Sequence, residues 1–283
     1  MTADDWARRG SSFGEVAAAY AEHRPDYPVA AVRWCLAPAP APGPDVAALR
    51  VLDLGAGTGK LTSLLTRLGA DVTAVEPDES MRGELRHLLP SVPALAGSAE
   101  AIPLPDSSVH AVVCGQAMHW FDMQRAAPEI ARVLVPGGVL GGLWNSDDDR
   151  VDWVAGLQAA AEGAASPSLS RRRAEAAGYG ADQFGQALFG PAERAEFGNS
   201  QRRTATSLAA TIATHSRLLV MDPAERDRVL GQVRDYLAAR PETSDGEFEL
   251  PMVTSAVRTV RTAGALGASG APGAPGAPGA PGR

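Results

Sequence analysis

Asp53, Gly55, Gly57 and Gly59 occupy alternate positions of one short stretch, Val51 to Gly59, and a second acid, Glu76, follows about 20 residues beyond the glycines. Glycines at that density let a turn take positive φ and bring bare backbone N–H groups against a ligand. A carboxylate at Glu76 can accept hydrogen bonds from both hydroxyls of a ribose. Farther along, His119 stands next to Trp120. An imidazole titrates near neutral pH, so it can take a proton from a hydroxyl or amine, or it can shape a pocket and hydrogen-bond a carboxylate. The chemistry within reach is therefore the holding of a nucleoside-containing molecule beside a group that manages a proton or an anion.

Those residues need a scaffold that places them on one edge. Val51–Leu54 reads as a buried strand, broken by the glycines where a helix pattern from Lys60 to Leu68 begins. Asp71–Val75 reads as the next strand, ending at Glu76. Asp78 is placed to cap a helix running to Leu89, with Met81 in its first turns. Val92–Gly97 is expected as a short third strand and Val109–Cys114 as a fourth, apolar enough to be buried on both faces. Gly115 to Asp122 then leaves the carboxyl end of a central strand, the edge where open α/β sheets bind ligands. Pro136-Gly137-Gly138 is expected as the turn before a fifth strand, Val139 to Trp144, with Asn145 at its top. Beyond it, helices are expected over Asp152–Ala165, Ser207–Thr214 and Pro223–Arg240, a polar link over Ser166–Gly180, and strands over Glu193–Thr204 and Glu247–Val260.

Spacing narrows the ligand. A dinucleotide fingerprint G-x-G-x-x-G begun at Gly55 needs a third glycine where Lys60 stands, which disfavours a pyrophosphate site. The pattern D-x-G-x-G-x-G resembles the first motif of class I S-adenosylmethionine-dependent methyltransferases. The resemblance implies a Rossmann-like, doubly wound, mostly parallel α/β sheet of seven strands with a helical cap. It also implies S-adenosyl-L-methionine as cofactor. Carried over position by position, the cofactor contacts fall on Asp53, Gly55, Ala56, Gly57, Gly59, Glu76, Pro77, Met81, Ser98, Ala99 and Gln116. At Ser98 most relatives carry an acid that accepts from the adenine amino group; an uncharged hydroxyl accepts more weakly. The segment Phe13-x6-Tyr20-x3-Arg24-Pro25-x-Tyr27-Pro28 resembles the N-terminal cover of the trans-aconitate methyltransferase-like branch. That places Tyr20 and Arg24 with Trp120, Trp144 and Asn145 as cover or substrate residues, and His119 as the catalytic candidate. The resemblance extends over the chain except its tail, as one methyltransferase domain over residues 1–262, split into a cover (1–45), a cofactor-binding half (46–145) and a cap with the final strands (146–262).

Composition fits a soluble protein of ordinary core. The 283 residues carry a net charge of −7, which argues against a long contact with nucleic acid. The clusters Arg171–Arg173 and Arg202-Arg203 lack interleaved aromatics and read as solvated faces. Met1–Gly10 lacks the apolar segment of a secretory signal, and no apolar run reaches a membrane span, so a cytoplasmic location is expected. Cys35 and Cys114 are expected as buried free thiols. His23, His87, His110, His119 and His215 show no ligand spacing, so no metal is implied. Gly264–Gly282 repeats glycine every third residue and is read as a disordered or polyproline II tail. The partner expected is a small-molecule acceptor, methylated at a carboxylate or hydroxyl oxygen. Two other readings share parts of this pattern: a nicotinamide oxidoreductase, against which Lys60 and the His119-Trp120 stretch count, and a cofactor-binding module without catalysis.

Overall fold

The computed structural model describes residues 25–43, 47–161, 184–185, 187–213, 218 and 220–262. Phe13, Tyr20 and Arg24, the Ser166–Gly180 link and the glycine-rich tail lie outside the described residues. In chain order the elements are α1 (Val29–Leu36), β1 (Arg50–Leu54), α2 (Lys60–Arg67), β2 (Asp71–Val75), α3 (Glu79–Leu88), β3 (Ala94–Leu95) and β4 (Val109–Gly115). A 3₁₀ turn (Met118–Trp120) follows, then α4 (Met123–Val133), β5 (Leu134–Asp147), α5 (Asp152–Ala160), β6 (Glu193–Thr204), α6 (Ala205–Ala213), α7 (Pro223–Ala238) and β7 (Glu247–Val260).

All seven strands form one sheet in the order β3-β2-β1-β4-β5-β7-β6. The pairings from β3 through β5 are parallel, and β7 runs antiparallel to both β5 and β6. The strand order reverses between β1 and β4, which makes the carboxyl ends of those two strands the switch point where a crevice opens. β4 is buried along six of its seven residues, as a strand covered on both faces must be. β6, at the edge, alternates between exposed and half-covered positions.

Helices cover both faces. On one, α1, α2 and α3 bury Val32, Cys35, Leu61, Leu65 and Leu85 against Val51, Ala74 and Val113. On the other, α4 and the 3₁₀ turn bury Ile130, Ala126 and Met118 against Leu52, Val112, Cys114 and Trp144. The cap has its own core, in which Leu157, Ile212, Val233 and Leu237 of α5, α6 and α7 meet Phe248, Leu250 and Met252 from the first half of β7.

Three expected elements differ. The third strand shrinks to Ala94–Leu95, because past Leu95 the chain turns into a bridge between Ser98 and Ala101 instead of continuing the ladder. Pro136-Gly137-Gly138 is not a separate turn: β5 begins at Leu134, and its pairing with β4 jumps from Val109↔Leu134 to Ala111↔Val139. The three residues are accommodated as a bulge, with Gly137 at φ +75°. The helix expected from Ser207 starts at Ala205, because Thr204 and Ser207 cap reciprocally: Ser207 N–H donates to Thr204 Oγ1 at 3.0 Å and Thr204 N–H to Ser207 Oγ at 2.9 Å. This is a capping box in which a hydroxyl replaces the usual carboxylate or amide at the third helical position.

Candidate active site

The glycine turn joins β1 to α2. Gly55 and Ala56 N–H both donate to Val75 O, at 2.8 and 3.1 Å, which holds the turn over the end of β2. Gly55 sits at φ +71°, and a Cβ there would lie 2.6 Å from the Ala117 side chain, so the turn presses directly on the segment leaving β4. Gly57 is at φ +57° with nothing nearer its missing side chain than Met81 Sδ at 3.9 Å. There the backbone conformation alone disfavours a side chain, and the space above it is open to a ligand.

Glu76 is buried at the end of β2 and faces this turn. Its Oε2 accepts from Gly57 N–H at 2.9 Å and its Oε1 from Asp78 N–H at 2.9 Å. Burial raises its pKa, and the two backbone donors pull against that rise. Each oxygen keeps a further lone pair, so the carboxylate that braces the turn can still accept from a diol. Arg82 fixes the same corner from behind, donating to Glu76 O at 2.6 Å and Pro77 O at 3.1 Å and pairing with Glu79. Asp78 caps α3 as expected, accepting from Met81 N–H at 2.9 Å.

Asp53 is fully buried. Thr62 donates to its Oδ2 at 2.6 Å, while Oδ1 has no hydrogen-bond partner, and burial pushes its pKa up to about 7. Thr58, in the glycine turn, is likewise buried with an unpartnered hydroxyl. Orphaned buried polar atoms are costly unless a ligand satisfies them. Two of them beside a side-chain-free turn and a diol-facing carboxylate suit a cofactor that carries a ribose and a charged amino-acid end. Thr62 carries a sequence signal, as a polar residue on the face of α2 that otherwise buries Leu61, Leu64 and Leu65.

Across the crevice, Gln116 holds a left-handed φ of +56°, a strained state for a long side chain and one that clusters at functional sites. Its N–H donates to Leu143 O at 2.8 Å and its side chain to Asn145 O at 3.0 Å. Ser98 is half-buried and Ala99 buried; their turn is tied to the β4 edge by Asp122 N–H donating to Glu100 Oε1 at 2.9 Å. His119 and Trp120 are half-exposed on the 3₁₀ turn, with ring centroids 4.9 Å apart, and Phe121 comes within 3.7 Å of the Gly55 Cβ position. Glycine turn and histidine turn thus share one edge.

The two expected site residues of β5 point to opposite faces of the sheet. Trp144 is 3% exposed and its indole lies across Gly142, in the α4-side core with Met118. Strand alternation requires this, since Leu143 and Trp144 point to opposite faces. Asn145 faces the other way and binds the N-terminal segment, its Nδ2 lying 3.3 and 3.2 Å from the carbonyls of Pro25 and Asp26. Tyr27 packs its ring against Gly115, where a Cβ would fall 2.6 Å from the phenol oxygen. Thr58, Asn199 and Thr254 were not singled out from the sequence, because isolated polar residues in turns and strands carry no local pattern.

Burial pushes the Cys35 thiol up to about 12 and Cys114 well above the usual thiol range, so neither is a nucleophile at neutral pH. Among the described residues no group of three or more His, Cys, Asp or Glu could hold a metal, and no helix is long and apolar enough to cross a membrane.

Comparison with known proteins agrees with this geometry. Residues 52–141 match the family described as a methyltransferase domain. An uncharacterized methyltransferase of Mycobacterium tuberculosis is 40% identical over 253 residues, covering 87% of this chain and 94% of its own length. A malonyl-[acyl-carrier protein] O-methyltransferase of Methylococcus capsulatus is 40% identical over 97 residues, covering 32% of this chain and 35% of its own length. Among solved structures, a type II methyltransferase of Anaeromyxobacter dehalogenans superposes with a TM-score of 0.63 at 26% identity, covering 84% of this chain and 97% of its own.

Proposed function

The chain belongs to the class I S-adenosylmethionine-dependent methyltransferases, and from that premise we propose that it methylates an oxygen, carboxylate or hydroxyl, of a small molecule. When bound, the cofactor supplies a methyl group already activated on a positively charged sulfur. The residues proposed to hold it are Asp53, the turn Gly55–Gly59, Glu76, Pro77, Met81, Ser98, Ala99 and Gln116. Their task is alignment, which supplies much of the barrier reduction in a transfer between two bound molecules. Trp120 and Phe121 keep water from the reacting end, and a dry setting favours a step in which positive charge disappears.

The observation that carries the acceptor side is the half-exposed His119 beside Trp120 on the 3₁₀ turn, whose flanking residues Ala117 and Phe121 meet Gly55 of the glycine turn. For a hydroxyl acceptor His119 removes the proton; for a carboxylate, already nucleophilic, it binds the anion. Support for a carboxylate comes from the N-terminal resemblance to the trans-aconitate branch and from the partial match to the malonyl O-methyltransferase. The test is calorimetry with S-adenosylmethionine, then a radiolabelled methyl screen over polycarboxylates, phenols and amines. Label entering amines alone would overturn O-methylation. With an acceptor in hand, His119→Ala should lower turnover at saturating substrate about 100-fold or more at neutral pH if it is the base. Turnover of the variant equal to that of the wild type at both acid and neutral pH removes that role.

A further inference from the structure

Three side chains from the far strands meet at the N-terminal segment. Asn145 of β5 is 2% exposed and Thr254 of β7 is fully buried, while Asn199 of β6 is half-buried. Thr254 Oγ1 donates to Asn145 Oδ1 at 2.5 Å, and Asn199 Nδ2 donates to the same oxygen at 3.2 Å. With Oδ1 engaged by two donors, the Asn145 amide is oriented so that its Nδ2 faces the carbonyls of Pro25 and Asp26. Asn199 Nδ2 also donates to Asp26 O, at 3.0 Å.

The strap that receives these bonds, Pro25–Pro28, has two prolines, which cannot donate to a ladder; Pro28 O accepts from the first turn of α1, while the carbonyls of Pro25 and Asp26 take the side-chain donors. It crosses the switch point. Tyr27 rests on Gly115 at the end of β4, and the Asp26 carboxylate lies 3.3 Å from Lys60, the residue that follows the glycine turn. That ion pair is 74% exposed on the Asp26 side, so it holds the strap weakly. The buried amide network is the stronger hold.

We propose that Asn145, Asn199 and Thr254 are positioning residues that clamp the strap over the crevice and thereby set how long the cofactor is retained. Neither Asn199 nor Thr254 belongs to the cofactor site itself. The inference rests on the cofactor reading above, with the clamp as an addition to it.

The test uses the full chain and the variants Thr254→Val, Thr254→Ser and Asn199→Ala. Three quantities are measured: calorimetric affinity for S-adenosylmethionine and S-adenosylhomocysteine, hydrogen exchange of the peptide spanning residues 25–36 in ligand-free protein, and Tm. Thr254→Val should weaken cofactor binding about tenfold, the equivalent of one buried hydrogen bond, through faster dissociation. It should also speed exchange in the strap while the amides of β1 and β4 stay protected. Thr254→Ser, which keeps the hydroxyl, should restore both. Unchanged affinity, unchanged strap exchange, or a loss that spreads evenly over the whole sheet with a matching fall in Tm would each overturn the clamp. If Thr254→Val fails to fold, Asn199→Ala, at a half-buried edge position, decides the question by the same readouts. Failure of the wild type to bind cofactor would strike the cofactor reading instead, and strap exchange in the ligand-free variants would still decide the clamp.

Discussion

The two halves of the site are held together at different distances along the chain. Around the glycine turn the hydrogen-bonded side chains have near partners: Thr62 and Asp53 are 9 residues apart, Gly57 and Glu76 are 19 apart, and Asp78 and Glu76 are 2 apart. Around Asn145 they are remote, with Asn199 54 residues away, Thr254 109 and Asp26 119. A short loop costs little entropy to close, so the turn can be built by local backbone chemistry. The far half needs the sheet in place before its side chains meet. On the reading proposed above, the near region would set whether a cofactor fits at all and the remote one would tune how it is held.

The sharpest way to break that contrast is Gly55→Val. It would force a β-branched residue to a positive φ and into Ala117, costing about 3 kcal/mol or more and abolishing cofactor binding. Near-normal calorimetric affinity would mean the turn is not the seat of the site.

Asp53→Asn should have a smaller effect, of opposite sign on stability. Burial raises the folded-state pKa from 3.8 to about 7, so the folded protein binds the extra proton and wild-type stability falls as pH rises across that window. The amide cannot ionise, so the variant should melt about 5 °C higher near pH 8, lie close to wild type near pH 4, and bind cofactor more weakly. Melting curves that keep the wild-type pH slope would remove Asp53 as its cause.

Smallest of all, Asp26→Asn deletes an exposed ion pair and should change stability and cofactor affinity by no more than about 0.5 kcal/mol. A large effect there would shift the weight of the strap from its amide clamp to Lys60.

What could be read in the chain follows the same division. The glycine turn, the capping Asp78 and the acid ending β2 were legible because each is a local chemical signal. Even the two long strands at the far edge, Glu193–Thr204 and Glu247–Val260, were legible to the residue, since β alternation is local too. The clamp was not, because a lone asparagine in an edge strand looks the same whether it meets solvent or a partner across the sheet. The surroundings of Trp144 were hidden for a related reason: the sequence locates it on a strand but does not say which face of the sheet it will cover. The bulge at Pro136–Gly138 hid behind an ordinary turn signal, because a bulge and a turn ask for the same residues.

The two sealed thiols give the molecule an internal clock for its own opening. Cys35 lies on the sheet-facing side of α1 and Cys114 in β4 under the opposite helical layer, both protonated and out of reach of alkylating reagents. Neither can react until its layer lifts from the sheet, so the speed of labelling at each position reports how often that face comes away. Equal speeds mean that the faces part together; unequal ones name the face that yields first.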